Sequence, residues 1–310
     1  CRAPWHHWRP MSTTRLTPAA AALLTLAPLL WAANAVVGRL AVPLISPVTL
    51  NFLRWVLAFG ILLPLGAWVL RPYSGLWTHW RRFALLGLLG VGAYNALQYL
   101  ALQTSSPLNV TLVASSMPLW MLAMGRLFFQ APVQRQQVLG ALLSIAGVVL
   151  VLARGDGGQL ARLRLVPGDL YMLAATVCWA WYSWLLARPK EPVAIRADWA
   201  AFLLAQITFG LMWSGAMTAA EWSMGAGHVQ WGWALAAILA FVAVGPAVSA
   251  YRCWGLGVRR AGPPVGGFFA NLTPVFAALM STLVLGEAPA WYHGVAFALI
   301  VAGIVVSSRR

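Results

Sequence analysis

Negative charge is what this 310-residue chain has least of: six Asp and Glu stand against twenty-one Lys and Arg. Charged residues of both signs make up only 9% and hydrophobic residues 61%. A soluble domain carries about one quarter charged residues, so that class is excluded. The six carboxylates (Asp156, Asp169, Glu191, Asp198, Glu221 and Glu287) all fall in loops or at the ends of apolar segments. The five histidines (His6, His7, His79, His228 and His293) do likewise. Metal-dependent, acid–base or Ser–His chemistry inside a membrane needs such groups at depth. The expectation is no enzyme, no catalytic residue, no metal and no cofactor. Cysteine is equally scarce: Cys1, Cys178 and Cys253 show no metal spacing and no disulfide framework.

What the chain has is apolar length. Spanning the hydrocarbon core takes about 20 apolar residues per helix. That rule predicts ten spans, at about 18–38, 47–70, 83–104, 107–128, 135–153, 168–188, 199–219, 233–256, 263–285 and 290–307. They leave no room for a separate soluble domain. The segment CRAPWHHWRP before Met11 has no apolar stretch of the secretory kind. Residues 1–16 are read as a leader, extraneous before Met11; a lipid-modified Cys1 is the minor alternative.

The net charge of +15 would normally raise nucleic acid as a partner, but its distribution argues for a membrane. With the amino terminus inside, fifteen cations face the cytoplasm: Arg2, Arg9, Arg15, Arg71, Arg81, Arg82, Arg126, Arg135, Arg188, Lys190, Arg196, Arg259, Arg260, Arg309 and Arg310. Four face out (Arg39, Arg154, Arg162 and Arg164), and Arg54 and Arg252 lie within spans. This is the positive-inside bias. It predicts cytoplasmic termini in a bacterial inner membrane, with lipid as a partner and no nucleic acid.

One stretch occurs twice. Residues 105–154 lie over 261–310 at a constant offset of 156, pairing Pro107 with Pro263, Ala114 with Ala270, Pro118 with Pro274 and Gly147 with Gly303. The same offset lays the eighth span over the third, and CWAWYS of the sixth mirrors LWAANA of the first. Each half therefore holds five helices in one order, and an odd number makes the second half enter from the opposite side. The predicted fold is all-α: ten transmembrane helices as two inverted five-helix repeats, 17–154 and 155–310, around a central cavity. Transporters built this way bind substrate near the midplane, between the repeats.

Several residues are candidates for that cavity. Pro118 and Pro274 sit mid-span, where each crowds the carbonyl four residues back, at Ala114 and Ala270. They are the expected hinges. Trp31 with Asn34, Tyr94 with Asn95 and Gln98, and Trp179 with Tyr182 and Ser183 lie about one helical turn apart. With Trp120, Tyr251, Arg252 and Asn271 they form a set fit for an amphipathic organic solute, although Trp and Tyr also favour membrane interfaces. Arg54, roughly 10 Å below the outer surface, is expected to snorkel to the headgroups as an anchor. The repeat alignment instead buries Arg252 beside Ser249 and Tyr251. There a fixed cation would attract a carboxylate or phosphate. Were the eighth helix to begin at Trp231, Arg252 would approach the cytoplasmic interface and snorkel too. Gly140 and Gly147, matched by Ala296 and Gly303, allow close helix packing within the fold or at a dimer contact.

The stretches LLWAANAVVGRLAVPLISPVTLNFLRWVLA, YLALQTSSPLNVTLVASSMPLW, LGALLSIAGVVLVL and ANLTPVFAALMSTLVLGEAP resemble the EamA family of the drug/metabolite transporter superfamily. The resemblance covers about residues 17–308. It implies ten helices, termini inside and alternating access through a central cavity. The family's Gly-Glu after the kinked helix is present as Gly286-Glu287, whereas the first repeat has Gln130-Ala131, so no matched acidic pair exists. The function expected is export of a small metabolite, such as an amino acid or related solute, by a monomer or homodimer. A lipid-headgroup carrier or flippase and a non-transporting membrane scaffold are the rival readings.

Overall fold

A computed structural model describes residues 16–41, 43–105, 107–158, 166–285 and 291–308. The described residues form helices joined by short turns, with one isolated bridge between Ile45 and Val229. In chain order the helices are α1 (Pro18–Ala41), α2 (Pro47–Gly66), α3 (Trp80–Gly87), α4 (Tyr94–Thr104), α5 (Pro107–Ala114), α6 (Met117–Phe129) and α7 (Arg135–Leu152). They continue as α8 (Pro167–Ala187), α9 (Val193–Ala197), α10 (Trp199–Ser223), α11 (Trp233–Val242), α12 (Ala250–Ala261), α13 (Pro263–Ala270), α14 (Leu272–Leu285) and α15 (Trp291–Ser308). Among the described residues, six helical stretches are long and apolar enough to cross a bilayer: 47–70, 135–152, 167–187, 199–223, 233–261 and 291–308. Their outward faces are apolar, as Leu57, Ile61 and Leu65 on α2 and Phe297, Val301 and Val305 on α15 illustrate. Lipid contact accounts for such stripes.

Of the remaining expected spans, 18–38 is the continuous helix α1, and the others are helices with an interruption. α5 stops at Ala114 and α13 at Ala270, the carbonyls that Pro118 and Pro274 crowd. Each restarts within three residues, as α6 and α14. The broken backbone is satisfied from within the bundle: Asn271 Nδ2 donates to Ser115 O at 3.2 Å and to Ser144 Oγ at 3.0 Å. Asn271 and Ser115 are themselves 156 residues apart.

A second irregularity also occurs twice. Leu88–Ala93 links α3 to α4, and Ala243–Ser249 links α11 to α12, each as a turn of π-helix. The two segments lie at the 156-residue offset. Pro246 removes an N–H in the second; the first has Gly90 and Gly92 instead. π-bulges of this kind recur at functional sites.

α7 and α15 pack face to face through glycine. A Cβ at Gly140 would stand 2.6 Å from Gly303 O, and one at Gly147 would stand 2.8 Å from Ala296 O. Residue 140 meets 303 and 147 meets 296, so the helices run antiparallel, and the two contacts exchange under the offset. The small-residue face is thus used inside the chain. Helix ends are tied by carboxylates. Glu221, at the end of α10, accepts from Ser46 Oγ, Val48 N, Thr49 N and Thr49 Oγ at 2.6–3.1 Å, capping the start of α2. Gly66, at the other end of α2, abuts Ala200 and Ala201, so α2 and α10 lie antiparallel along their length.

Candidate functional site

The helices bring seven rings into one cluster. Trp179 of α8 is its centre, with ring centroids at 4.8 Å to Tyr94, 5.1 Å to Tyr182, 5.3 Å to Trp31, 5.5 Å to Tyr251 and 5.6 Å to Trp254. Trp55 of α2 joins through Tyr251 at 4.9 Å. Edge-on and tilted pairs at these separations are the favoured aromatic geometries. Rings from α1, α2 and α4 thereby meet rings from α8 and α12.

The polar tips of these rings are satisfied by backbone the irregular helices expose. Trp31 Nε1 donates to Pro246 O at 3.2 Å, and Tyr251 Oη donates to Gly90 O at 2.5 Å. Gly90 and Pro246 occupy equivalent places in the two π segments, so each half supplies a carbonyl to a cluster ring. Gly90 is also sterically required, because a Cβ there would lie 2.7 Å from the Tyr182 ring. Tyr182 Oη donates to Gln206 Oε1 at 2.9 Å, and Trp254 Nε1 donates to Ser183 Oγ at 3.1 Å.

The sequence-derived set is only partly gathered. Trp31, Tyr94, Trp179, Tyr182 and Tyr251 form the cluster, and Ser183 supports it through Trp254. Asn34, Gln98 and Trp120 are half-buried and join none of the described ring contacts. Asn95 is buried, with Nδ2 unpartnered. Asn271 serves the helix break. Pro118 is buried at the start of α6, with Gly267 of α13 packed on its backbone; Pro274 is half-buried in α14. Sequence reasoning missed Trp55, Trp254 and Gln206. Trp254 had a signal, lying one turn after Tyr251 on α12.

Of the two intramembrane arginines, Arg54 departs from its expected place. Arg54 does not snorkel: it is 4% exposed, with Nη2 donating to Asn51 Oδ1 at 2.7 Å and Cζ 5.1 Å from the Trp55 ring centre. Its helix buries Leu50, Asn51, Arg54, Trp55, Ala58 and Leu62, and Arg54 lies within that inward stripe. Arg252 is not enclosed. It is exposed, and its Cζ stands 4.2 Å over the ring of Trp199, the first residue of α10. Offset alignment fixes position along a helix but not the face, and Arg252 lies on an open face of α12. It lines a shallow open groove with Arg259, Trp199, Phe202 and Leu256, and Tyr182, Gln206 and Tyr251 also reach it.

Carboxylates take no part in the ring cluster among the described residues. Asp198 caps α10 through Ala200 N and Ala201 N and accepts from Trp68 Nε1; Asp169 accepts from Val166 N and Ser105 Oγ. Glu191 sits between Arg82 and Arg196 in the turn after α8. Burial opposes its ionisation, but the Lys190 N–H and the two guanidinium groups outweigh that and hold its carboxyl below the usual range. Among the described residues no group of three metal-ligating side chains exists. Glu287 lies outside the described residues.

Several apolar helices long enough to cross a bilayer, packed into one bundle, define an integral membrane protein. The chain belongs to the EamA-like transporter family, which matches it twice, over residues 18–153 and 166–309. It is 28% identical over 258 residues to the aromatic amino acid exporter YddG of Ancylobacter novellus, covering 81% of this chain and 82% of that protein. It is 26% identical over 230 residues to the uncharacterized transporter YyaM of Bacillus subtilis, covering 73% and 72%. A solved crystal structure shares the fold with a TM-score of 0.74 at 24% identity, over 93% of this chain and 96% of that one. The protein is a membrane transporter of the EamA family.

Proposed function

We propose that this transporter exports a small amphipathic solute of the amino-acid type, and that the ring cluster around Trp179 is where the solute passes. The observation that carries the reading is the double anchoring of that cluster. One ring hangs on the Gly90 carbonyl and one on the Pro246 carbonyl, so a change at either irregular segment repositions the rings. Flat apolar faces with few polar tips suit a solute with an apolar side chain. The name of the Ancylobacter relative, an aromatic amino acid exporter, supports the same class.

The architecture that fits this role is ten crossings in two inverted five-helix repeats, 17–154 and 155–310, with both termini cytoplasmic. The equivalent helix breaks, the equivalent π segments and the antiparallel α7–α15 contact support it. The halves then rock about the breaks at Pro118 and Pro274, and the protein works as a monomer or homodimer. Reporter fusions after Gln134 and Arg196 are expected to read as cytoplasmic and one at His228 as external.

A second reading rests on the groove beside Arg252 and Arg259. Its apolar floor and cationic rim suit a lipid headgroup entering sideways. Purified protein in proteoliposomes separates the readings. Saturable counterflow of phenylalanine or tryptophan is expected; lipid scrambling with no solute flux across a broad panel would favour the flippase.

A further inference from the structure

Asn51 and Arg54, one turn apart on the inward stripe of α2, each leave a buried donor without a partner among the described residues. The atoms are Asn51 Nδ2 and Arg54 Nε, and Asn95 Nδ2 is a third. All three are donors. Asn51 and Arg54 are one turn apart on α2 and bonded to each other. Asn51 Oδ1 accepts from both Arg54 Nη2 at 2.7 Å and Trp55 Nε1 at 3.1 Å. Two donors on one oxygen fix the amide orientation, so the NH2 group must point elsewhere.

The charge is unbalanced as well. No described carboxylate reaches Arg54; Glu221, toward the same end of α2, is spent on Ser46, Val48 and Thr49. A buried guanidinium without a counter-ion is costly, and intramembrane arginines are ordinarily paired or functional. What the stripe lacks is therefore an anionic acceptor. Its position says which one. Arg54 lies against the Trp55 ring, and Trp55 lies against Tyr251 of the ring cluster.

We propose that Arg54 and Asn51 are the anchor for the carboxylate of the transported solute, with the ring cluster taking its apolar part. The inference rests on the reading of the cluster as the solute path. It narrows the substrate class to solutes bearing a carboxylate, because a carboxylate matches the guanidinium fork and accepts the Asn51 N–H as well. A free amine or a neutral amide offers no negative oxygen to these donors.

Thermal unfolding of purified protein tests this without any flux, using benzoate as the probe and benzamide as its neutral isostere. Wild type is expected to gain stability with benzoate and to bind benzamide roughly 10- to 100-fold more weakly, the discrimination of a charge-assisted hydrogen bond. Arg54→Gln should abolish the difference. Asn51→Asp keeps the fold, gives Arg54 an internal counter-ion and repels the probe. It should raise the melting temperature without ligand and erase the benzoate response. Equal stabilisation of wild type by both probes, no response to either, or an undiminished benzoate response in Asn51→Asp would overturn the proposal. Phenylalanine flux that phenylalaninamide matches would also overturn it while leaving the transport reading intact. A lack of flux for every solute would instead sink the transport reading.

Discussion

Arg54 and Arg252 are the same residue type, both in apolar helices, and the bundle treats them oppositely. Arg54 is sealed inside, on Trp55, with a lone amide for company. Arg252 is exposed, over Trp199, at the mouth of an open groove. Both use an aromatic face for the cation, so ring stacking alone does not mark function. The difference is the helix face. On α2 the arginine occupies the inward stripe, where every donor must be answered; on α12 it faces an open groove, where a guanidinium can find its own partners.

The contrast can be broken first at the rings. Trp55→Ala removes both the surface under Arg54 and one wall of the cluster, and is expected to destabilise by about 3 kcal/mol, as large buried aromatics do. Trp199→Ala removes a half-buried ring under an exposed arginine and should cost less, about 1 kcal/mol. Reversible denaturation in mixed detergent micelles measures both. Equal losses would mean the two sites are energetically alike.

The arginines themselves come next. Arg54→Met replaces an unpaired buried charge with an apolar side chain of similar length, and should stabilise the ligand-free protein by about 1–3 kcal/mol. Arg252→Met, at an exposed position, should change stability by less than about 0.5 kcal/mol. Destabilisation by Arg54→Met would show that the buried cation has a partner within the chain.

A smaller effect sharpens the contrast from the carboxylate side. Glu191 is a cation-paired acid outside the spans, with its folded-state pKa depressed. Its stabilisation is present above the ordinary Glu value of about 4.3 and is lost as pH falls through the lower folded value. Melting temperature should therefore fall more steeply with acidification in wild type than in Glu191→Gln. Parallel curves would remove Glu191 from the account.

Much of the architecture was legible because it is written twice. The 156-residue offset located the helix breaks at Ala114 and Ala270 and placed the small-residue faces of α7 and α15. The π segments escaped notice, since Gly90 and Pro246 reach one deformation by different means. In the ring cluster, one-turn spacing singles out Trp31, Tyr94, Trp179 and Tyr182, and Tyr251 enters only by joining that set. Trp55 and Gln206 could not be read that way, because their partners lie on other helices. The misplacing of Arg54 has one cause: depth was counted and facing was not. The buried period of Leu50, Asn51, Arg54, Ala58 and Leu62 would have turned Arg54 inward.

The central claim is that solute passes through the ring cluster and not along the groove beside Arg252. The direct measurement is the initial rate of phenylalanine counterflow in proteoliposomes for Trp179→Leu and Arg252→Gln, reconstituted in equal, monodisperse amounts. The account predicts a loss of at least about tenfold for Trp179→Leu, equivalent to about 1.4 kcal/mol, and a rate within about twofold of wild type for Arg252→Gln. A near-normal rate for Trp179→Leu with a collapse for Arg252→Gln would contradict it and move the pathway to the groove.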